Sequence, residues 1–162
     1  LTYIGTIGSW MDFELLLQIL NSCDNIIITM VGPIDTKAPV HERLRFAGMV
    51  EHDRIANYAQ KADALIMTFR VSELVRSVDP VKIYEYILFR KPILAVNYGE
   101  MHKFLPFVSL YSNFDEMQNL LDLLKEGQLQ VHSMEETGQF IENSTWYQRC
   151  REIIKIIEEI AQ

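Results

Sequence analysis

The sequence is poor in the residues that build special-purpose architectures. Its 162 residues hold 2 cysteines, Cys23 and Cys150, which stand far apart and in no metal-ligand or redox spacing. A disulfide scaffold is excluded, and a reducing compartment is the expectation. With 7 glycines, 5 prolines and no internal repeat, the chain is neither fibrous nor low-complexity. No apolar run approaches the roughly 20 residues that a membrane-spanning helix needs. Positive charge is scarce too. Fifteen Lys and Arg against 22 Asp and Glu leave a net charge of −7, with a pI near 5.1. That balance argues against nucleic acid or an anionic membrane surface as the main partner. Phosphate can still be held locally, by helix N-termini and a few basic residues. The four histidines, His41, His52, His102 and His132, fall at no metal-ligand spacing, so no metal site is expected.

What the chain does have is material for a core. Apolar residues make up 49% and charged residues 23%, in a length that suits one domain. It opens at Leu1 without a Met, and Thr2–Ile7 reads at once as a buried strand. We therefore expect residues 1–162 to be a single domain cut from a longer protein.

Four short apolar runs stand out: Tyr3–Ile7, Ile26–Val31, Ala64–Phe69 and Pro92–Val96. None alternates with polar residues, which suits strands buried on both faces of a parallel sheet. Phe46–Val50 and Phe107–Tyr111 are weaker strand candidates.

Helical spacing fills the gaps. Asp12 can cap a helix carrying Leu15, Leu16, Ile19 and Leu20, and Asp53 one carrying Ile55, Tyr58, Ala59 and Ala62. A third helix follows Pro80, with Ile83, Tyr84, Ile87 and Leu88 on one face. A fourth runs from about Asp115 to Lys125. The last, from about Thr145 to Ala161, gathers Trp146, Cys150, Ile153, Ile157 and Ile160 on one packing stripe. Gly127–Gly138 is polar and reads as an exposed connection with little structure of its own. Alternating strands and helices predict an α/β fold. It is a Rossmann-like doubly wound parallel sheet of about six strands, with helices on both faces. Ligands of such sheets bind beyond the carboxyl ends of the strands, at the topological switch point.

The stretch SVDPVKIYEYILFRKPILAV, Ser77–Val96, carries the most chemistry. Pro80 suits a first helical turn, whose free N–H groups attract anions, and Lys82 adds a full charge there. At roughly 100° per residue, Lys82 and Glu85 share a face while Ile83 and Ile87 point into the core. A lysine and a carboxylate so placed fit a nucleotide, the diphosphate on the helix N-terminus and both ribose hydroxyls on the carboxylate. The same spacing also describes a solvated ion pair that merely stabilises the helix.

PVKIYEYI followed by KPILAV resembles the Pro-x-Lys-x-Tyr-Glu-Tyr stretch and the Lys-Pro-Val-Val that follows it in glycosyltransferases of the GT-B fold. The likeness extends along the chain in order. YIGTIGSWMDFELL resembles the opening strand, glycine loop and helix of their C-terminal domain. RLRFAGMVEHDRIANYAQKADALIMTF resembles their Phe-x-Gly-x-Val and Ala-Asp run, and FIENSTWYQRCREII their closing helix with Trp-x-x-Arg.

The resemblance implies a C-terminal domain that binds a nucleotide diphosphosugar, most simply a UDP-sugar. The sugar would pass to an acceptor hydroxyl in surface polysaccharide synthesis. Glu85 would bind the ribose, and Lys82 would neutralise the departing diphosphate. The Gly8–Ser9–Trp10 loop would approach the phosphates, Gly48, Met49 and Val50 would meet the base through their backbone, and Ser77 and Asp79 would lie beside the phosphates. The resemblance calls for no cofactor and no metal in this domain. It implies a missing N-terminal acceptor domain, hence an isolated fragment without transferase activity. It also implies a cytoplasmic setting, peripheral to the inner face of the membrane in the full-length protein.

Three departures from the family pattern are visible. Ser77 stands eight positions before Glu85, where many members carry a second glutamate. GTIGSWMD lacks the usual basic pair, and Arg90 replaces the Gly before Lys-Pro, which alters the turn after the helix. The missing glutamate and the missing basic pair keep a second class open, a non-catalytic Rossmann-like interaction module. A dinucleotide-binding domain is the third reading. Gly5 and Gly8 do not form a Gly-x-Gly-x-x-Gly fingerprint, and no acidic residue closes the second strand.

Overall fold

Six strands form one parallel sheet: β1 (Thr2–Ile4), β2 (Ile28–Val31), β3 (Leu44–Gly48), β4 (Leu65–Met67), β5 (Ile93–Val96) and β6 (Ser109–Tyr111). Their order is β3-β2-β1-β4-β5-β6, which is a Rossmann-like double winding with its switch point between β1 and β4. The computed structural model describes residues 1–160.

Seven α-helices are present among the described residues: α1 (Phe13–Ser22), α2 (His52–Lys61), α3 (Glu73–Arg76), α4 (Lys82–Leu88), α5 (Phe114–Lys125), α6 (Met134–Asn143) and α7 (Trp146–Ile160), together with a 3-10 helix at Gly99–Phe104. Right-handed crossovers put α1 on one face and α2 and α4 on the other. In that arrangement α5 packs against α1, and α6 against α4.

Every residue of β1, β4 and β5 is buried, as their unbroken apolar runs require. The strands are shorter than those runs. Ile7 is fully buried yet lies beyond β1, in an isolated bridge to Ile34, and Phe69 lies beyond β4 in a bridge to Met11. Strand β3 starts earlier than the expected Phe46–Val50 because the Leu44 side chain faces the core.

The carboxyl ends of β1, β2 and β3 are drawn together by backbone contacts. Gly5 N–H donates to Val31 O at 2.8 Å, and Gly32 N–H to Gly48 O at 2.9 Å. Gly32 has φ +139°, and a Cβ there would sit 2.1 Å from the Gly5 carbonyl oxygen. Only glycine lets the two strand ends approach so closely.

Several helix expectations need correction. Asp53 lies in the first turn of α2 rather than at its cap, where Glu51 makes no side-chain hydrogen bond. The carboxylate still favours the positive helix end. Helix α5 has the expected extent to within one residue, and the Asn113 side chain caps it. Leu88 is 55% exposed, on the outer edge of α4. The segment Gly127–Gly138 is not unstructured throughout, because Ser133 and Glu136 form a reciprocal capping box that starts α6. The stripe on α7 is formed as expected, but it packs on nothing. Trp146 is 77% exposed and Ile160 80%, and no residue of that helix is buried. Ala161, the expected end of the helix, lies outside the described residues.

Candidate functional site

The strand β1 runs alongside β4 only at its start, where Thr2 pairs with Leu65. Beyond that the two diverge, as at the switch point of any doubly wound sheet. Into the gap comes Tyr86 of α4, fully buried. Its hydroxyl accepts from Ile4 N–H at 2.7 Å and donates to Ile4 O at 3.1 Å. Both groups of Ile4 that would have faced a neighbouring strand are satisfied by one phenol. Burial pushes the Tyr86 pKa well above its ordinary value of 10. The contact also fixes α4, and with it Lys82, at the carboxyl end of β1.

Lys82 stands between two cavities. One, of about 380 Å³, lies between the ends of β1 and β4 and the segment Leu74–Lys82. The other, of about 180 Å³, lies between the ends of β1 and β2, with Met49, Val50 and Ile55 on its far side. Gly5, Thr6 and Lys82 border both. A larger cavity of about 580 Å³ is lined by Leu1, Asn25, Tyr58 and Leu121, at the opposite, amino ends of the strands. Parallel α/β sheets bind ligands at the carboxyl ends, so the pair around Lys82 is the candidate site.

The Lys82 ammonium contacts both oxygens of Glu85, at 3.0 and 2.9 Å. The two side chains are 36% and 41% exposed, so the pair is open to solvent and adds little to stability. Lys82 borders both cavities, whereas Glu85 borders neither and stands beside them through its contact with Lys82. The first turn offers less than the spacing suggested. Val81 N–H donates to Asp79 O, Ile83 N–H to Pro80 O and Tyr84 N–H to Val81 O, so these amides are spent within the turn. Positive charge at this point rests on Lys82.

Asp79 borders the larger cavity but is held in an ion-pair network. Its carboxylate lies 3.0 Å from Lys103 Nζ and 3.5 Å from Arg149 Nη1. Arg149 Nη2 also donates to the Tyr84 hydroxyl at 2.6 Å. Partial burial opposes the charge on Lys103, yet its hydrogen bonds to Glu100 and Asp79 win and raise its pKa. Tyr98 donates to Val78 O at 3.3 Å, and burial pushes that phenol up to about 12. The loop before α4 is thus fastened by three side chains from the segments after β5 and in α7.

The remaining expected residues spread around this centre. Met49 and Val50 border the smaller cavity, and Gly48 joins its rim through the Gly32 amide. Ser77 faces away, its hydroxyl donating to Glu73 O at 3.4 Å. Gly8 and Ser9 border neither cavity. The Trp10 indole lies over Gly8, where a Cβ would come within 2.3 Å of the ring. Gly5 and Thr6 occupy the rim instead.

Sequence reasoning passed over Gly5, Thr6, Gly32, Tyr86 and Arg149. The Val31-Gly32-Pro33 break after an apolar run was the one local signal for Gly32. Among the described residues no cluster of His, Cys, Asp or Glu could hold a metal ion, and no helix is long and apolar enough to cross a membrane.

No protein-family model and no curated protein matches the chain. Among solved structures, that of Anabaena HepE in complex with UDP and glucose is similar, with a TM-score of 0.61 at 17% identity. The match covers 99% of this chain and 46% of that one, so the chain spans less than half of HepE. At this identity the likeness is one of fold.

Proposed function

We propose that this chain is the C-terminal, donor-binding domain of a GT-B glycosyltransferase, and that it binds a nucleotide diphosphosugar, a UDP-sugar first of all. The observation that carries the reading is the position of Lys82, between two cavities at the switch point and beside Glu85. The smaller cavity takes the nucleoside, with Met49 and Val50 against the base. Glu85 leaves Lys82 to accept the ribose hydroxyls, and Lys82 meets the diphosphate. In transfer, the charge that develops on the departing diphosphate would be stabilised by that ammonium. The likeness to a structure holding UDP and glucose supports the reading.

The acceptor and the group that activates it belong to the missing N-terminal domain, so the isolated chain is expected to bind nucleotide weakly and to transfer nothing. The setting we propose is surface polysaccharide synthesis, in the cytoplasm at the inner face of the membrane. Titration with UDP tests the binding claim. Saturable binding abolished by Glu85→Ala supports it, and no binding at millimolar UDP refutes it.

One observation favours a second reading. The Lys82–Glu85 pair satisfies itself, and the Val81, Ile83 and Tyr84 amides are spent within the turn, as in an interaction module with no ligand. Absence of UDP binding would favour that module. The sheet order is also that of dinucleotide-binding domains, and NAD binding tighter than UDP would select that class.

A further inference from the structure

The larger cavity at the switch point is chemically unlike a surface made for a hexose. Its wall includes Tyr3, Trp10, Phe69, Val75, Val78 and Val81. Its polar neighbours are almost all engaged elsewhere. The Tyr3 hydroxyl donates to Thr6 O at 2.9 Å, Asp79 is paired with Lys103 and Arg149, and Lys82 with Glu85. Ser77 points to Glu73 O and lies outside the cavity. The exposed Thr6 hydroxyl is a neutral side-chain group left to meet a sugar.

A sugar hydroxyl moved from water against such a wall gives up hydrogen bonds and finds no replacement. A methyl group in the same place gains contact with the aromatic rings. The volume, about 380 Å³, is that of a small-molecule site. With the nucleoside in the smaller cavity and the diphosphate at Lys82, this space receives the group attached beyond the diphosphate.

We infer that this group is a 6-deoxysugar, a pyranose whose hydroxymethyl is replaced by methyl, in preference to a fully hydroxylated hexose. The inference rests on the nucleotide-sugar reading above. Six titrations of this chain test it: UDP, UDP-glucose and UDP-6-deoxyglucose, each with the wild type and with Val78→Ser. An apolar wall discriminates by at most one or two orders of magnitude against an added hydroxyl. UDP-6-deoxyglucose should bind about tenfold more tightly than UDP-glucose. Val78→Ser, on a side chain 37% exposed, should shrink that ratio at least threefold and leave UDP alone unchanged. Equal affinities for the two sugars, or tighter UDP-glucose, with UDP itself binding, would overturn the inference and leave the donor-site reading intact. Failure of UDP to bind would overturn both.

Discussion

The Tyr86 hydroxyl holds both the amide and the carbonyl of Ile4, at 2.7 and 3.1 Å, and so replaces the strand partner that β1 lacks at the switch point. One side chain therefore closes the sheet at its weakest place and sets the angle of the helix that carries Lys82.

Tyr86→Phe removes the phenol and leaves a buried N–H and C=O without partners. Such a loss costs about 1–3 kcal/mol. Urea unfolding should show that drop in stability with an unchanged m value, and amide exchange at Ile4 should accelerate. Unchanged stability would mean that water enters and takes over both bonds.

Alkali should unfold the protein through the same residue. Burial raises the Tyr86 pKa well above 10, and Tyr3 and Tyr98 are pushed up to about 12. Unfolded tyrosines ionise near 10. The folded state therefore holds its phenol protons longer than the unfolded state, and the stability this contributes is complete below pH 10. It is lost as the pH rises from there through the folded pKa values. Stability measured against pH should be level with respect to these groups up to about 10 and then fall, and Tyr86→Phe should fall less steeply.

Arg90 occupies the left-handed region at φ 52°, after the end of α4. The conformation costs a residue with a Cβ roughly 1–2 kcal/mol, part of which a glycine returns through its freer unfolded chain. Arg90→Gly should stabilise the domain by about 0.5–1 kcal/mol, a rise in Tm of ~1–4 °C by calorimetry. A lower Tm would show that the arginine side chain contributes more than its backbone costs.

The parts legible in the sequence were those with local causes. Strands β1, β2, β4 and β5 read as unbroken apolar runs because both faces of a central parallel strand are covered. Their ends were read too long because Ile7 is buried and Phe69 half-buried from loops, and burial does not require a strand. The Ser133–Glu136 box was a local signal too, masked by the polar residues around it. Tyr86 could be placed on a helix face but not matched to Ile4, 82 residues earlier. The α7 stripe was legible as a period, yet periodicity says which face would be buried and not whether a surface exists to receive it. For the site, the Lys82–Glu85 adjacency follows from helical spacing alone. The Asp79–Arg149 tie spans 70 residues and had no such trace.

Arg149 fastens α7 to the body of the domain through Asp79 and Tyr84, since α7 itself buries nothing. Arg149→Ala should cost only about 0.5–1 kcal/mol, because the ion pair is partly exposed. Its local effect should be larger. Hydrogen exchange should show α7 and the Ser77–Pro80 loop losing protection while β1 and β4 keep theirs. Unaltered protection of α7 would mean that the guanidinium is not its anchor.

The donor-site assignment is tested most directly by comparing how Lys82→Ala and Glu85→Gln change the affinity for UDP and for uridine, which has the ribose and no phosphate. Charge-assisted bonds to the ribose are each of the order of 1.5–3 kcal/mol, so Glu85→Gln should weaken UDP and uridine alike, by roughly tenfold or more. Lys82→Ala should weaken UDP, leave uridine almost untouched, and lose its effect as salt screens the phosphate charge. If both variants are folded and bind UDP as the wild type does, the Lys82–Glu85 pair is a solvated helix face and the assignment is wrong.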